Sequence, residues 1–421
     1  MAQKGIREYD AKRMLARNLE KYFGGTYGYQ GQIVLTDQGT DWDALAAQNP
    51  WLLNTPLVAK PDQLFGKRGK HGLLYVNKSY AEVKEWIQGR MEKEVTVGKT
   101  TGTLTHFIIE PFVPHDNEYY VAIKSTVTGD TIFFSTQGGI DIESVWDTVV
   151  EIPVAVDEDV EDIDIGARLP VSLGDANKAL VANYIKGLFK FYVDFHFAYL
   201  EINPFAVSGD QVIPLDLVAK LDDTAQFECV VQWGDLSFPA PFGLQMSPEE
   251  AYIRDLDEKT GASLKLTVLN KDARIWSLVA GGGASVIFAD TIADLGAAGD
   301  LANYGEYSGD PSKEFTYEYT KTVLDLMTRT KHPDGKVLLI GGGIANFTDI
   351  AKTFAGIIQA LTEYAVRLAD HGVKIYVRRA GPNYQEGLRL MRELGERTAL
   401  PIEVYGPETH MTKIVSMALG K

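Results

Sequence analysis

Lys60 ends an apolar run, and the glycine-rich basic stretch GKRGKHG stands at 66–72. Backbone amides of such a turn can wrap phosphate oxygens, with Lys67 and Arg68 supplying charge. An exposed basic loop is the alternative. Glu201 and Asn203 alternate along the run 197–207, and Asp216 lies beyond a Ser-Gly-Asp turn at 208–210. Two β-runs around such a turn predict a hairpin, which would set Asp216 across from Asn203. Mg2+ takes oxygen ligands, commonly one or two carboxylates with phosphate and water, and these positions offer them. An ordinary polar strand face would carry the same residues. Asp257, Thr260 and the Ala262 carbonyl fall in a further turn that could hold a second, structural cation.

A second group is built from glycine. AGGGAS (280–285) and GGGIANFT (341–348) each stand between an apolar strand and a helical stretch. There the backbone can approach a ligand closely, and the free N–H groups of the next helix attract an anion. Close packing of helix on strand also uses glycine. A dinucleotide fingerprint would need Gly-x-Gly-x-x-Gly, but its last position is Val286 in one turn and Asn346 in the other. The third turn, RRAGPNYQEG (378–387), puts Arg378 and Arg379 where the others have glycine. Successive strand residues face opposite ways, so one of the two is expected to point into the crevice. An arginine beside two helix N-termini suits a carboxylate-rich ligand, because its fork binds carboxylate bidentately. A surface ion pair is the competing use. Gly98-Lys99-Thr100 is not the end of a phosphate loop, since residue 93 is Lys rather than Gly. The seven histidines and Cys229 form no metal signature.

These groups need elements to hold them. An amphipathic helix is predicted over 5–23 from Ile6, Tyr9, Met14, Leu15, Leu19 and Tyr22. β-runs follow at 57–62, 72–76, 105–113, 118–126 and 130–136, with a short helix at 79–90. The acidic stretch 151–165 reads as a solvated loop. A helix at 175–194 precedes the predicted hairpin 197–222. WGDLSFPAPFG (233–243) has the proline and glycine of a linker. Beyond it, strands at 274–280, 336–341, 374–379 and 401–406 alternate with helices at 285–295, 347–370 and 384–397. That rhythm predicts βαβ units and a parallel, doubly wound sheet.

The length, 421 residues, suggests two or three domains. A formal net charge of −16 disfavours nucleic acid and anionic membrane as partners. The single cysteine excludes an internal disulfide. The first residues are charged throughout, unlike a signal peptide, and no apolar stretch reaches membrane-spanning length. A cytoplasmic, soluble protein is expected.

Taken in order, the pieces resemble the beta-subunit family of succinyl-CoA synthetase: YDAKRMLA near the start, the basic glycine turn, LEINPF with Asp216, and the two glycine turns. The chain is more closely similar to the ATP- and citrate-binding part of the ATP-citrate lyase family. WGDLSFPAPFG, AGGGAS, ANYGEYSG, KHPDGK, GGGIANFT, VRRAGPNYQEGL and GPETHMT carry that likeness. It implies an ATP-grasp nucleotide-binding domain over 1–240, a linker over 241–261 and a citrate-binding, flavodoxin-like domain over 262–421. It further implies that Lys60, Lys67, Arg68 and Gly69 meet ATP, that the backbone from Pro111 to Val113 edges the adenine, and that Glu118 holds the ribose. Asn203 and Asp216 would carry Mg2+ with ATP. Gly309, Asn346, Thr348, Tyr364 and Arg379 match citrate-binding positions, and the helix opening at Gly283, Ala284 and Ser285 would face a phosphoryl group.

The reaction implied is ATP, citrate and CoA giving acetyl-CoA, oxaloacetate, ADP and phosphate, by way of a phosphohistidine. No residue here matches that histidine; His410 reads as structural. The catalytic histidine, the CoA site and a citrate-synthase-like lyase domain are therefore expected on a partner, a succinyl-CoA synthetase alpha-like subunit, in a hetero-oligomer. With its last residue at Lys421, the chain reads as one subunit of a split enzyme, the alternative being a truncated piece of the long single-chain form. The alternatives are the corresponding subunit of a citryl-CoA synthetase, a succinate-specific ligase, and a non-catalytic citrate- or nucleotide-binding protein.

Overall fold

The computed structural model describes residues 3–24, 31–139, 142–244 and 246–421. The chain divides into two compact units, Met1–Gln245 and Met246–Lys421. Among the described residues no helix is long and apolar enough to cross a membrane.

The first unit holds an antiparallel sheet in the order Gln3–Ile6, Leu217–Asp222, Phe197–Ser208, Tyr119–Thr126, Gly129–Ser135, Val150–Ala155. Gln211–Pro214 pairs with the far end of Phe197–Ser208. Helix Asp175–Asp194 turns Val181, Ile185, Leu188 and Phe191 into the core beneath this sheet. A smaller sheet runs Val34–Thr36, Phe107–Pro111, Leu57–Pro61, Tyr75–Lys78 around its own core of Leu57, Val83, Ile87 and Phe107. The helix Tyr80–Gln88 starts on a Ser79–Glu82 capping box. Gly98 and Lys99 turn the hairpin of Glu94–Val97 and Thr100–Thr103, which is no phosphate loop.

Three expectations change in this unit. The predicted helix 5–23 begins as the edge strand Gln3–Ile6, continues as Glu8–Arg17, and breaks at Asn18 before Leu19–Phe23. The Asn18 side chain donates to Met14 O at 2.8 Å, competing with the helical ladder. The acidic stretch is not all loop: Val150–Ala155 pairs with Gly129–Ser135. There Ile152 and Val154 alternate with exposed neighbours, a period-two signal hidden by the acids that follow. The strand predicted over 211–222 is split at Leu215 and Asp216, which places Asp216 at the break.

In the second unit five parallel strands lie in the order Asn303–Ser308, Ile275–Ala280, Lys336–Gly342, Val373–Arg378, Ile402–Tyr405. Numbered along the chain that order is 2-1-3-4-5, the flavodoxin-like arrangement, with Ser263–Val268 added antiparallel at one edge. Two of these strands, Ser263–Val268 and Asn303–Ser308, and the helices Lys313–Met327 and Lys413–Leu419 had no counterpart in the sequence reading. Helices Lys313–Met327, Ile350–Glu363 and Tyr384–Thr398 bury one core with Leu338 and Ile340, and helices Gly282–Asp294 and Lys413–Leu419 bury a second with Val337 and Leu339 on the opposite face. The expected linker 241–261 contains the helix Pro248–Glu258, which belongs to this unit because Ile253 is buried in its core.

Candidate functional site

In the first unit the charged residues form a buried network. Helix Glu8–Arg17 brings Glu8 and Lys12, four residues apart, onto one face. Lys60 and Glu110 come from adjacent antiparallel strands, on a diagonal of the Val58–Glu110 and Lys60–Ile108 pairs. Glu8 Oε1 accepts from Lys12 Nζ at 2.8 Å and from Lys60 Nζ at 2.7 Å, and Glu8 Oε2 accepts from Arg68 Nη2 at 2.7 Å. Lys12 Nζ also donates to both Glu110 oxygens, at 2.8 and 2.9 Å. Lys12 and Lys60 share the Leu215 carbonyl at 3.0 and 2.7 Å. Arg68 bonds Pro61 O at 2.9 Å and forms a close ion pair with Asp216. Burial alone would raise the Glu8 pKa, but the three cations together hold it well below its ordinary range.

Lys60 and Arg68 are thus brought together as expected, yet both already have carboxylate partners. Lys67, exposed and at φ 61, opens the 3-10 turn Arg68–His71, and a side chain at Gly69 would meet nothing. Asn203 and Asp216 are joined by a backbone bond, Asn203 N to Asp216 O at 2.9 Å. Asn203 Oδ1 accepts from Gly139 N at 2.8 Å. The Asp216 side chain keeps 34% of its surface exposed. Amide and carboxylate oxygens are ligands of the kind Mg2+ takes, but here the Asp216 carboxylate is paired with Arg68. Near Pro111, the Val113 carbonyl accepts from His115 Nδ1 at 2.7 Å, while His115 Nε2 lies 3.0 Å from Glu118 Oε1. His115 therefore links two expected nucleotide contacts. It, Glu8, Lys12 and Glu110 were missed because no local spacing marks them.

The second site lies at the carboxyl ends of the parallel strands. The order reverses between Ile275–Ala280 and Lys336–Gly342, and both glycine turns sit there, where ligands of such sheets bind. Gly281, at φ 97, turns the chain into helix Gly282–Asp294. Gly283 is exposed and Ala284 half-buried, but Ser285 Oγ is buried and donates to Gly305 O at 2.5 Å. The hydroxyl is thus turned away from this helix end, while the Glu306 carboxylate lies against Gly282. Residues 343–349 dock on the third turn, with Ala345 N donating to Ala380 O at 2.8 Å and Ile350 N to Pro382 O at 3.0 Å. Gly309, at φ 74, stands on the same rim. Asp310 ties it to the helix Ile350–Glu363 through Lys352 at 3.1 Å. Asn346 and Gly309 are exposed and Thr348 is half-buried.

Both arginines of the third turn are buried. Arg378 reaches Thr409 O at 2.8 Å and Gly342 O at 3.1 Å. Arg379 is 3% exposed and donates to Gly343 O at 3.0 Å. Burial lowers the pKa of each guanidinium. Among the described residues neither has a carboxylate within ion-pairing distance; the Glu408 charge still supports Arg378, which leaves Arg379 as the buried cation without an anion.

Two expected sites are not assembled. Tyr364 follows the 14-residue helix Ile350–Glu363, which at ~1.5 Å per residue carries it roughly 20 Å from Asn346 and Thr348. Its ring lies under Arg367, at 5.0 Å from the guanidinium. Near Thr260 and Ala262, both Asp257 oxygens are taken, one by Leu264 N at 2.7 Å and one by the Lys265 ammonium. Thr260 Oγ1 accepts from Ala262 N at 3.1 Å. A carboxylate already paired with an ammonium does not fit a cation, and the described residues contain no cluster of three or more His, Cys, Asp or Glu that could hold one.

Comparison with known proteins follows this division. Residues 2–233 match the family described as ATP-citrate synthase ATP-grasp domain, and residues 244–421 the family ATP citrate lyase citrate-binding. An ATP-citrate synthase of Bos taurus is 53% identical over 424 residues, but the chain spans only 38% of that protein's length. ATP-citrate synthase alpha chain protein 2 of Oryza sativa subsp. japonica is 49% identical, with 100% of this chain and 98% of that one covered. Among solved structures, ATP citrate lyase from Methanothrix soehngenii, in complex with citrate and coenzyme A, superposes with a TM-score of 0.92 at 55% identity, over 100% of both chains.

Proposed function

This chain belongs to the ATP-citrate lyase family, and from that premise we propose that it is the ATP- and citrate-binding subunit of a split ATP-citrate lyase. It works with a partner that carries the phosphohistidine, the CoA site and the lyase domain. The supporting observation is Arg379, buried at this rim and, among the described residues, without a carboxylate within ion-pairing distance. A tricarboxylate supplies what that rim lacks. Arg379 pairs with one citrate carboxylate, and the chain around Gly309, Asn346 and Thr348 offers polar contacts to the others. The opening of helix Gly282–Asp294 stabilises a transferred phosphoryl group through its N–H groups and dipole.

In the first unit Lys60 and Arg68 bind the ATP phosphates, with Lys67 and Gly69 lining the turn. Pro111, Val113 and Glu118 flank the nucleoside. Asn203 and Asp216 would hold Mg2+, which neutralises phosphate charge. A phosphate reaching Arg68 replaces Asp216 as its partner and so frees that carboxylate as a ligand. The cytoplasm is the compartment we assign.

The test is reconstitution. The purified chain is mixed with a partner subunit containing the phosphohistidine and lyase domain, and citrate-dependent acetyl-CoA formation is followed. Turnover is expected only with both chains, ATP and Mg2+. Failure of the chain to bind citrate, together with failure of the mixture to turn over, would refute the assignment.

A further inference from the structure

Tyr307 lies on strand Asn303–Ser308 and is 1% exposed. Its hydroxyl is buried and has no hydrogen-bond partner among the described residues. Arg379 Nε is in the same condition. The two groups are neighbours across the sheet: Tyr307 pairs with Ala280, Ala280 pairs with Gly342, and a Cβ on Gly342 would run into both Ala280 O and Arg379 Nη1. The guanidinium accordingly opposes the rise in the Tyr307 pKa that burial causes. Among the described residues of this unit one other buried side-chain polar atom, Arg274 Nε, is also unbonded, whereas Tyr319 OH donates to Lys265 O at 2.8 Å and Lys336 Nζ to Met327 O at 2.8 Å. An unbonded phenol beside an unbonded guanidinium nitrogen is therefore an exception that calls for a ligand.

The chemistry of that ligand is narrow. A guanidinium only donates, and a neutral phenol beside it has its own proton to give. One group that satisfies both must be an acceptor, and a neighbouring cationic side chain favours an anionic one. Gly343 O, which now holds Arg379 Nη1, serves as a placeholder that an oxyanion can replace. A side chain at Gly343 would meet nothing within 4 Å, so this part of the turn is open.

We propose that Tyr307 is a ligand-binding residue of the C-terminal site, its hydroxyl donating to the same oxyanion that Arg379 binds, a carboxylate of the bound tri-acid. The proposal rests on the reading of this rim as the citrate site. It adds a neutral donor to a charged one, so a carboxylate is recognised by position as well as by charge.

Tyr307→Phe tests it cleanly, because no atom of the free protein uses the hydroxyl and its loss costs the fold nothing. The full chain is titrated calorimetrically with citrate and, separately, with inorganic phosphate; the thermal midpoint is recorded without ligand. The expected result is a citrate Kd raised about tenfold, the loss of one hydrogen bond to a charged acceptor. Phosphate affinity and the midpoint should be unchanged or, for the midpoint, higher. If wild type binds citrate, Arg379→Ala does not, and Tyr307→Phe binds within twofold of wild type, the role of Tyr307 is refuted while the citrate rim stands. If the variant loses phosphate affinity alone, the oxyanion is a phosphoryl group and the carboxylate assignment is overturned. If wild type does not bind citrate, the rim assignment falls and the Tyr307 role with it.

Discussion

The two sites treat charge in opposite ways. Around Glu8 three buried cations meet Glu8, Glu110 and Asp216, so each positive group has a protein partner. Arg379 instead bonds the Gly343 carbonyl and, among the described residues, has no carboxylate within ion-pairing distance. Removing one member of the first network strands the others: Glu8→Ala should cost about 3–5 kcal/mol of stability, measured by urea denaturation. An unchanged midpoint and slope would mean the network is not buried in solution. Removing Arg379 strands nothing. Arg379→Ala should weaken citrate binding by about 2–5 kcal/mol with little loss of stability, read by calorimetry alongside denaturation. Asp62 adds a pH signature. It accepts from the backbone N–H of Glu8 at 2.9 Å and of Tyr9 at 3.1 Å, but burial, with the Glu8 charge behind it, pushes its carboxyl up to about 7. An unfolded aspartate titrates near 4, so between roughly pH 4 and 7 the folded chain holds the extra proton. The Asp62 contribution is complete below that window and is lost as pH rises through it. Asp62→Asn should flatten that fall in a stability–pH series, and equal slopes would count against the assignment. Glu8 has the opposite sign, its contribution being present above the ordinary glutamate range and lost on acidification. Sequence could single out Lys60, Arg68, Asn203 and Asp216, because glycine, strand alternation and a turn flank them. Glu8 and Lys12 read as the wet face of a helix, and only Glu110, 98 residues from Lys12, reveals that they are buried. Tyr307 carries no local mark either: that its hydroxyl is buried and unbonded shows only in the folded chain.

At the scale of elements, the rim depends on how closely helices Lys313–Met327 and Ile350–Glu363 approach. A Cβ on Gly356 would lie 2.3 Å from Thr316 Oγ1 and 2.4 Å from Lys313 O. Gly356→Ala should therefore push the helices apart and destabilise the second unit by about 1–3 kcal/mol. It should also weaken citrate binding, because helix Ile350–Glu363 carries the loop 343–349 at its start. Denaturation and calorimetry on the same variant check both, and wild-type values would show that the helices have room. Helix Lys313–Met327 was illegible for a physical reason. Its buried face includes Thr316 and Thr322, which return their hydroxyls to Ser312 O at 3.0 Å and Glu318 O at 2.9 Å and so become buried without being apolar. The central strands were legible because both their faces are covered, leaving continuous apolar runs such as Val337, Leu338, Leu339 and Ile340. Asn303–Ser308 has no such run. Its Asn303 is buried by exchanging hydrogen bonds with Ser277, at 2.8 Å to the backbone N–H and 2.9 Å to the carbonyl.

For the molecule as a whole, the two units keep distinct cores, and each collects its own charged residues. The chain alone is expected to form no acetyl-CoA from citrate, CoA and Mg·ATP. Turnover by the purified chain, with the partner verified absent, would contradict the division of labour. The parallel, doubly wound sheet was legible from the strand–glycine–helix rhythm, while the ATP-grasp and flavodoxin-like fold types were implied by the family resemblance and not by the rhythm. The placement of Tyr364 was not legible, since a helix of known length had to be laid down before its distance from the rim could be seen. The most direct measurement is a crystal structure of the chain grown with citrate. Density for the tri-acid should lie between Gly309 and residues 343–348, with one carboxylate on Arg379. Citrate bound elsewhere, or those loops closed over Arg379 at saturating citrate, would contradict the proposal.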